Sequence, residues 1–489
     1  MAKVSEAWWK EAIVYQIYPA SFKDSTGNGY GDLRGITQKL DYLKYLGVDV
    51  IWLGPIYKSP MNDMGYDISD YESLNTAFGT MKDWDELLAQ CHTRGIKLIM
   101  DLVVNHTSSE HAWFQESRNP KSDKRDWYTW KPPKVNASGK RVPPSNWRAI
   151  FGGSAWEFDE RSGEYYLHLF DITQPDLNWE NTAVRKAVYD LMRFWLDKGI
   201  DGFRMDVINA ISKAPEFADI PVVDASAEFQ NGGPRYFNGP KVHEYLKEMK
   251  KEVLIHYDIM TVGETPATSP EQGVLFVARK SEELDMVFHF AHVDMDLDPV
   301  DFYKKREWKL TKLKNILGSW MEYMQERDGW NSLYLENHDQ ARSVSRFGND
   351  SAAYRAISAK MLAMFHTTGC GTVYIYQGQE IGMANLNWTR EQLRDVSAIN
   401  YYDEKSQKPG VMADDLLENI RNTGRDNARS PMQWDDSEYA GFSTSKPWIR
   451  LSGDFKAWNV EVESKDDGSV LQFWRRAIQL RKQYVGLVG

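Results

Sequence analysis

The sequence predicts an α/β protein, a (β/α)8 TIM barrel, and three observations carry that prediction. Eight short apolar runs recur along the chain without alternating with polar residues. Strands buried on both faces, as in a parallel sheet, read this way. Helix-period stretches separate several of the runs, and strand–helix–strand repeated eight times closes into a barrel. Several runs close on or beside polar residues, such as Asn105, Asp206, Glu264 and His338, and in such barrels the active site lies at the C-terminal ends of the strands.

In chain order the predicted strands are 13–19, 50–56, 97–105, 202–207, 258–264, 286–290, 332–338 and 372–377. Helical patterns cover 35–46, 84–94 and 183–198, ahead of the second, third and fourth strands, and 471–484 at the end. Residues 1–105 form the first part of the barrel. Residues 106–177 are too long for a barrel connection and carry charged, Pro-rich and Trp-rich segments such as Trp130-Lys-Pro-Pro-Lys134. They read as a small domain inserted after the third strand. Residues 178–489 complete the barrel, with a second long connection at about 385–446 after the eighth strand.

The chain has 489 residues, 42% of them hydrophobic, and a formal charge of −11. That excludes wholesale disorder and argues against a nucleic-acid partner, whose phosphates call for a basic surface. The 19 Trp and 25 Tyr suit either a site for a stackable, hydroxyl-rich ligand or an ordinary aromatic core. Two cysteines, Cys91 and Cys370, exclude a disulfide scaffold and a zinc site built on Cys pairs, and read as buried free thiols. The N-terminus shows no apolar leader, and no stretch approaches 18 uncharged apolar residues, so neither a signal peptide nor a membrane span is expected. A cytosolic enzyme or binding protein, monomeric or weakly oligomeric, fits these features.

Four strand ends concentrate the polar chemistry. The third ends Asp101-Leu-Val-Val-Asn-His106 and the fourth reads Gly202-Phe-Arg204-Met-Asp206-Val207. The fifth ends Val262-Gly-Glu264 and the seventh Glu336-Asn-His338-Asp339. Charges on one rim are costly unless they pair or react. Two carboxylates flanking a bond, with a third nearby, serve glycoside hydrolysis: one attacks the sugar carbon, and the other gives and then removes a proton. An arginine beside the attacking carboxylate keeps it ionised.

These four segments together resemble the α-amylase superfamily, glycoside hydrolase family thirteen, over nearly the whole chain. Asp63-Met-Gly-Tyr66, Gln174-Pro-Asp-Leu-Asn178 and Arg425-Asp-Asn-Ala-Arg429 resemble its oligo-1,6-glucosidase and α-glucosidase branch. The resemblance implies Asp206 as nucleophile, Glu264 as acid/base and Asp339 as transition-state stabiliser. It implies that His106 and His338 hydrogen-bond a glucose and that Arg204 holds Asp206. Asp63 and Arg429 would pair at the closed end of an exo-acting pocket, with Tyr66 and Phe170 as walls and Gln174 among the binding residues. No catalytic cofactor is implied, and the partner is a small oligosaccharide. Val207, after the nucleophile, resembles enzymes that accept α-1,6 bonds; otherwise it is a buried strand residue.

The loop Asp24-Ser-Thr26-Gly-Asn28-Gly-Tyr30-Gly-Asp32 spaces oxygen ligands at alternate positions, as calcium loops do. It lacks the bidentate Glu of an EF-hand, since position twelve is Gly35. A structural calcium and an ion-free Gly-rich turn both fit. Relatives usually continue into a C-terminal β-sandwich, which is expected to be missing here. A sucrose isomerase or transglucosylase would share the same scaffold, but the Arg-Leu-Asp-Arg-Asp run of the isomerases is not found. A non-catalytic, family-like interaction protein would have lost part of the acidic triad, which is intact. A metal-dependent barrel hydrolase could use His106 and His338, but Arg204 beside Asp206 argues against a cation there.

Overall fold

The computed structural model describes residues 7–225 and 227–488. The start of the N-terminal run read for a leader, residues 1–6, lies outside the described residues, as does Gly489. All eight expected strands form: β1 (Ile13–Ile17), β2 (Val50–Leu53), β3 (Lys97–Leu102), β4 (Gly202–Met205), β5 (Met260–Thr265), β6 (Met286–His289), β7 (Ser332–Leu333) and β8 (Thr372–Tyr376). They pair in parallel in that order, and β8 returns to β1. Between β6 and β7 the seam is a single parallel bridge, Val287 to Asn331. β7 is shorter than its apolar run because side chains replace ladder bonds there. Ser332 Oγ donates to Val287 O at 2.7 Å, and Tyr334 OH to His289 O at 2.7 Å.

The absence of alternation in the strands has a plain cause. Val14, Val50, Trp52, Ile99, Met260, Val262, Met286 and Phe288 fill the barrel interior. Their sequence neighbours, such as Ile13, Tyr15, Ile51 and Leu98, pack outward under the helices. Both faces are therefore apolar, with a period of two hidden beneath a continuous run.

The first expected helix divides into α1 (Leu33–Gln38) and α2 (Leu40–Leu46) at Lys39, whose φ/ψ of −107°/5° is not helical. Asp32 caps α1 by accepting from Gly35 N. α3 (Met81–Thr93) starts with a Thr80/Asp83 capping box, and α4 (Thr182–Asp197) is capped by Asn181. Between β3 and α4 lies a three-stranded antiparallel sheet with Glu164–Leu167 between Trp130–Lys131 and Trp156–Asp159. Its aromatic cluster, with Trp147, Trp156 and Tyr165, also takes in Val207 and Ala210 beyond β4. After β8 the chain forms α5 (Val396–Ser406), α6 (Ala413–Thr423) and the one-turn α7 (Asp426–Arg429). α5 and α6 share a separate cluster with Leu386, Trp388 and Ile449. The chain closes with α8 (Val470–Gln483). Cys91 is buried and Cys370 half-buried, both free.

The Gly-rich loop 24–32 is a seat for the end of the long connection. Asp24 Oδ2 accepts from Ser443 Oγ at 2.6 Å and Asp24 N donates to Phe442 O at 2.9 Å. A Cβ on Gly29, at φ +87°, would meet Lys446 O at 2.3 Å. The loop carboxylates are closed on protein donors. Asp24 also accepts from the N–H groups of Thr26, Gly27 and Gly29, and Asp32 from Ser25 and Gly35. Among the described residues no group of three or more His, Cys, Asp or Glu is placed to hold a metal ion. The loop's own hydrogen bonds hold it as a turn. No helix among the described residues is long and apolar enough to cross a membrane.

Candidate active site

The site is built on the C-terminal ends of the barrel strands. Arg204, on β4, is fully buried with its guanidinium among three carboxylates. Nη1 lies 2.6 Å from Asp101 Oδ1 and 2.7 Å from Asp206 Oδ1, and Nη2 lies 2.6 Å from Glu264 Oε2. Asp101, at the end of β3, also accepts from Trp52 Nε1 at 2.9 Å and Tyr66 OH at 3.2 Å. One cation cannot balance three carboxylates, so burial and mutual repulsion push both Asp206 and Glu264 above the usual carboxylate range, with Arg204 opposing.

Val207 carries the chain from β4 across the rim in the left-handed region, at φ 32° and ψ 45°. A β-branched residue is strained there. The turn aims Val207 N–H at Glu264 Oε2, 3.0 Å away. The side chain is buried in the aromatic cluster of the segment after β3.

Facing this pair, Asp339 lies beyond β7. Burial alone would raise it, but His338, Arg425, Arg429 and Arg204 outweigh burial and hold it well below the usual range. Arg429 Nη2 is 2.9 Å, Arg425 Nη1 3.2 Å and His338 Nε2 3.2 Å from its carboxylate. His338 Nδ1 meets Gln16 Nε2 of β1 at 2.8 Å, and the Tyr66 ring stacks parallel on His338 with centroids 5.1 Å apart. Burial lowers His338 to about 3 and His106 to about 4, so both are neutral near pH 7. His106 Nε2 lies 3.2 Å from Tyr66 O and 3.2 Å from Gln174 Nε2. The ring of Phe170 tilts over His106 at 5.1 Å and meets Phe151 edge-on.

At the far end, burial pushes Asp63 up to about 6, against the pull of Arg425 and Arg429. The expected Asp63–Arg429 pair is replaced here. Asp63 pairs with Arg425 at 3.1 Å and accepts from Gln174 Nε2 at 3.1 Å. Arg429 instead turns to Asp339 and to His338 O, 3.3 Å away. Asp395, the N-cap of α5, grips Arg425 Nη2 at 2.6 Å and Nε at 3.0 Å, closer than the 3.8 Å between it and Arg429 Nη1. All twelve catalytic and binding residues expected from sequence therefore meet around one rim. Asp101, Asp395, Arg425 and the Val207 N–H were not among them. Arg425 stands in the Arg425-to-Arg429 motif, but a four-residue spacing does not tell which guanidinium reaches which carboxylate.

Eight parallel strands with Asp206, Glu264 and Asp339 on one rim, two of them sharing a guanidinium, define a barrel glycoside hydrolase. The family model described as alpha amylase, catalytic domain, matches residues 16–488, and the chain belongs to the α-amylase family. It is 54% identical over 483 residues to an oligo-1,6-glucosidase of Parageobacillus thermoglucosidasius, covering 98% of this chain and 84% of that protein. A crystal structure of a mutant trehalose-6-phosphate hydrolase of Bacillus licheniformis superposes with a TM-score of 0.91 at 49% identity, over 98% of this chain and 84% of that one. An isomaltulose synthase mutant of Erwinia rhapontici superposes at 0.95 with 40% identity, over 99% and 85%.

Proposed function

We propose that this protein is a retaining, exo-acting α-glucosidase that removes terminal glucose from short α-glucosides, α-1,6 bonds included. The observation that carries the reading is the Asp206–Arg204–Glu264 cluster, two carboxylates on one guanidinium. Asp206 attacks the anomeric carbon. The bond to the leaving sugar breaks as Glu264 gives its proton to the glycosidic oxygen. Glu264, now ionised, takes a proton from water, whose oxygen displaces Asp206. Two inversions leave the α configuration, and no cofactor enters. Asp339, ionised across the working pH range, holds sugar hydroxyls and favours the developing positive charge. His106, at the Tyr66 backbone carbonyl, and His338, stacked on the Tyr66 ring, are both neutral and offer hydrogen bonds to the same glucose. Phe170 walls the mouth.

Asp63 and Arg425 close the pocket on the non-reducing glucose, which supports release of one terminal unit at a time. Val207 borders the acid/base and the mouth, and bears on how the second sugar lies. The test is product analysis on isomaltose, maltose, sucrose and trehalose in parallel. Free glucose from isomaltose, at a kcat/KM at least comparable to that for maltose, is expected. Isomerised sucrose as the main product would overturn the hydrolytic reading in favour of a sucrose isomerase.

A further inference from the structure

We propose that Arg342 is a positioning residue for glucose binding: buried beneath the pocket, it fixes the one-turn helix that carries Arg425 and Arg429. This rests on the reading that those arginines close a glucose pocket. A helix as short as α7 makes almost no internal bonds, so its carbonyls need outside donors. Arg342 supplies them. Nε donates to Asn427 O and Nη2 to Ala428 O, both at 3.2 Å, and Nη1 donates to Gln377 O at the end of β8 at 2.7 Å. Tyr376 OH adds a 2.8 Å bond to Ala428 O. Glu336 balances the charge 3.4 Å away, its other oxygen taken by Ser343 N–H.

Arg342 is fully buried, and every partner it meets belongs to the protein frame. It ties the ends of β7 and β8 to α7, and acts only through what α7 displays. On one side of α7 stands this planar fork; on the other, Arg425 and Arg429 reach Asp63 and Asp339. Both are long side chains, so a small tilt of α7 is magnified at their guanidinium groups. Lysine keeps the charge beside Glu336 but cannot span three carbonyls in one plane.

The experiment compares Arg342→Lys, Tyr376→Phe, Arg425→Lys and the Arg342→Lys/Arg425→Lys double variant in the full chain. The readouts are the inhibition constant for glucose, KM and kcat on isomaltose, and Tm. Misplacement by a fraction of an ångström should raise the glucose constant and KM about tenfold in Arg342→Lys, with kcat changed by less than about threefold. In the Arg425→Lys background the same change should add less than about twofold, because its effect runs through Arg425. Tyr376→Phe should move the glucose constant in the same direction by about two- to threefold. Unchanged glucose binding in Arg342→Lys and Tyr376→Phe, a loss confined to kcat, or fully multiplicative effects in the double variant would each overturn the proposal. If Arg342→Lys does not fold, Tyr376→Phe decides by the same criterion. Arg425→Lys with normal glucose binding would sink the pocket reading itself. Weak binding there but normal binding in Arg342→Lys would sink only this inference.

Discussion

Arg204→Met isolates the electrostatic centre of the site. The guanidinium lies within 2.7 Å of the carboxylates of Asp101, Asp206 and Glu264, out of contact with water. Methionine keeps an unbranched chain, so the main loss is one positive charge. Unit charges about 4 Å apart at an effective dielectric of about 20 interact by about 4 kcal/mol. Withdrawing that from the Asp206 carboxylate cuts its ionised population by up to about a thousandfold, since 1.4 kcal/mol is about a factor of ten. Hydrolysis of isomaltose at pH 7 should fall by about the same factor, with partial recovery at alkaline pH as the carboxylate ionises again. Stability should drop by up to about 3–5 kcal/mol, less to the extent that the stranded carboxyls take up protons. The assay is kcat against pH from 5 to 9 on the folded variant, with Tm in parallel. A kcat within tenfold of the parent, or a pH profile that superimposes on it, would refute the role given to Arg204.

Further outcomes are expected. Asp206→Asn and Glu264→Gln should each abolish turnover while Tm stays near that of the parent, and NMR of the parent's reaction should show α-glucose released first; β-glucose first would sink the double displacement. Val207→Thr replaces a methyl by a hydroxyl at nearly constant volume, and should shift the isomaltose-to-maltose kcat/KM ratio toward maltose by about tenfold; an unchanged ratio counts against a part in linkage choice. Asp63 is pushed up to about 6 by burial, so its ionised form, and kcat/KM with it, should fade as pH drops through about 6. Asp63→Asn should erase that limb, and a limb that persists would assign it elsewhere. His106 and His338, held near 4 and 3 against an unfolded 6.5, contribute stability in full above pH 6.5 and lose it as pH falls toward 4. Tm should decline over that window, and less steeply in a His106→Gln variant. Because the carboxylates of loop 24–32 are closed on protein donors, a chelator should leave Tm unchanged; a clear fall would show that the loop takes a cation.

Much of this molecule is legible in one dimension. Eight apolar runs became eight strands because a strand under helices on one side and facing the barrel interior on the other must be apolar at every position. The rim carboxylates were legible for a related reason, since a charge that ends such a run has no neutral surface to occupy; that Asp206, Glu264 and Asp339 are the reacting three, rather than Asp101 or Glu336, is what the resemblance to the α-amylase family implied. Boundaries were less readable. β7 shrank to two residues because Ser332 and Tyr334 satisfy backbone groups with their side chains, which no apolar pattern records. The left-handed turn at Val207 was equally silent, since valine ordinarily marks regular strand. The partner of Asp63 was decided only by tertiary structure. Arg425 and Arg429 are chemically identical and one helical turn apart. What separates them is Asp395, some thirty residues earlier, and the seat that Arg342 provides for α7. Spacing along the chain determines which groups are present; the direction in which a guanidinium points is set by buried carboxylates and carbonyls contributed from distant segments, whose positions exist only once the barrel has closed.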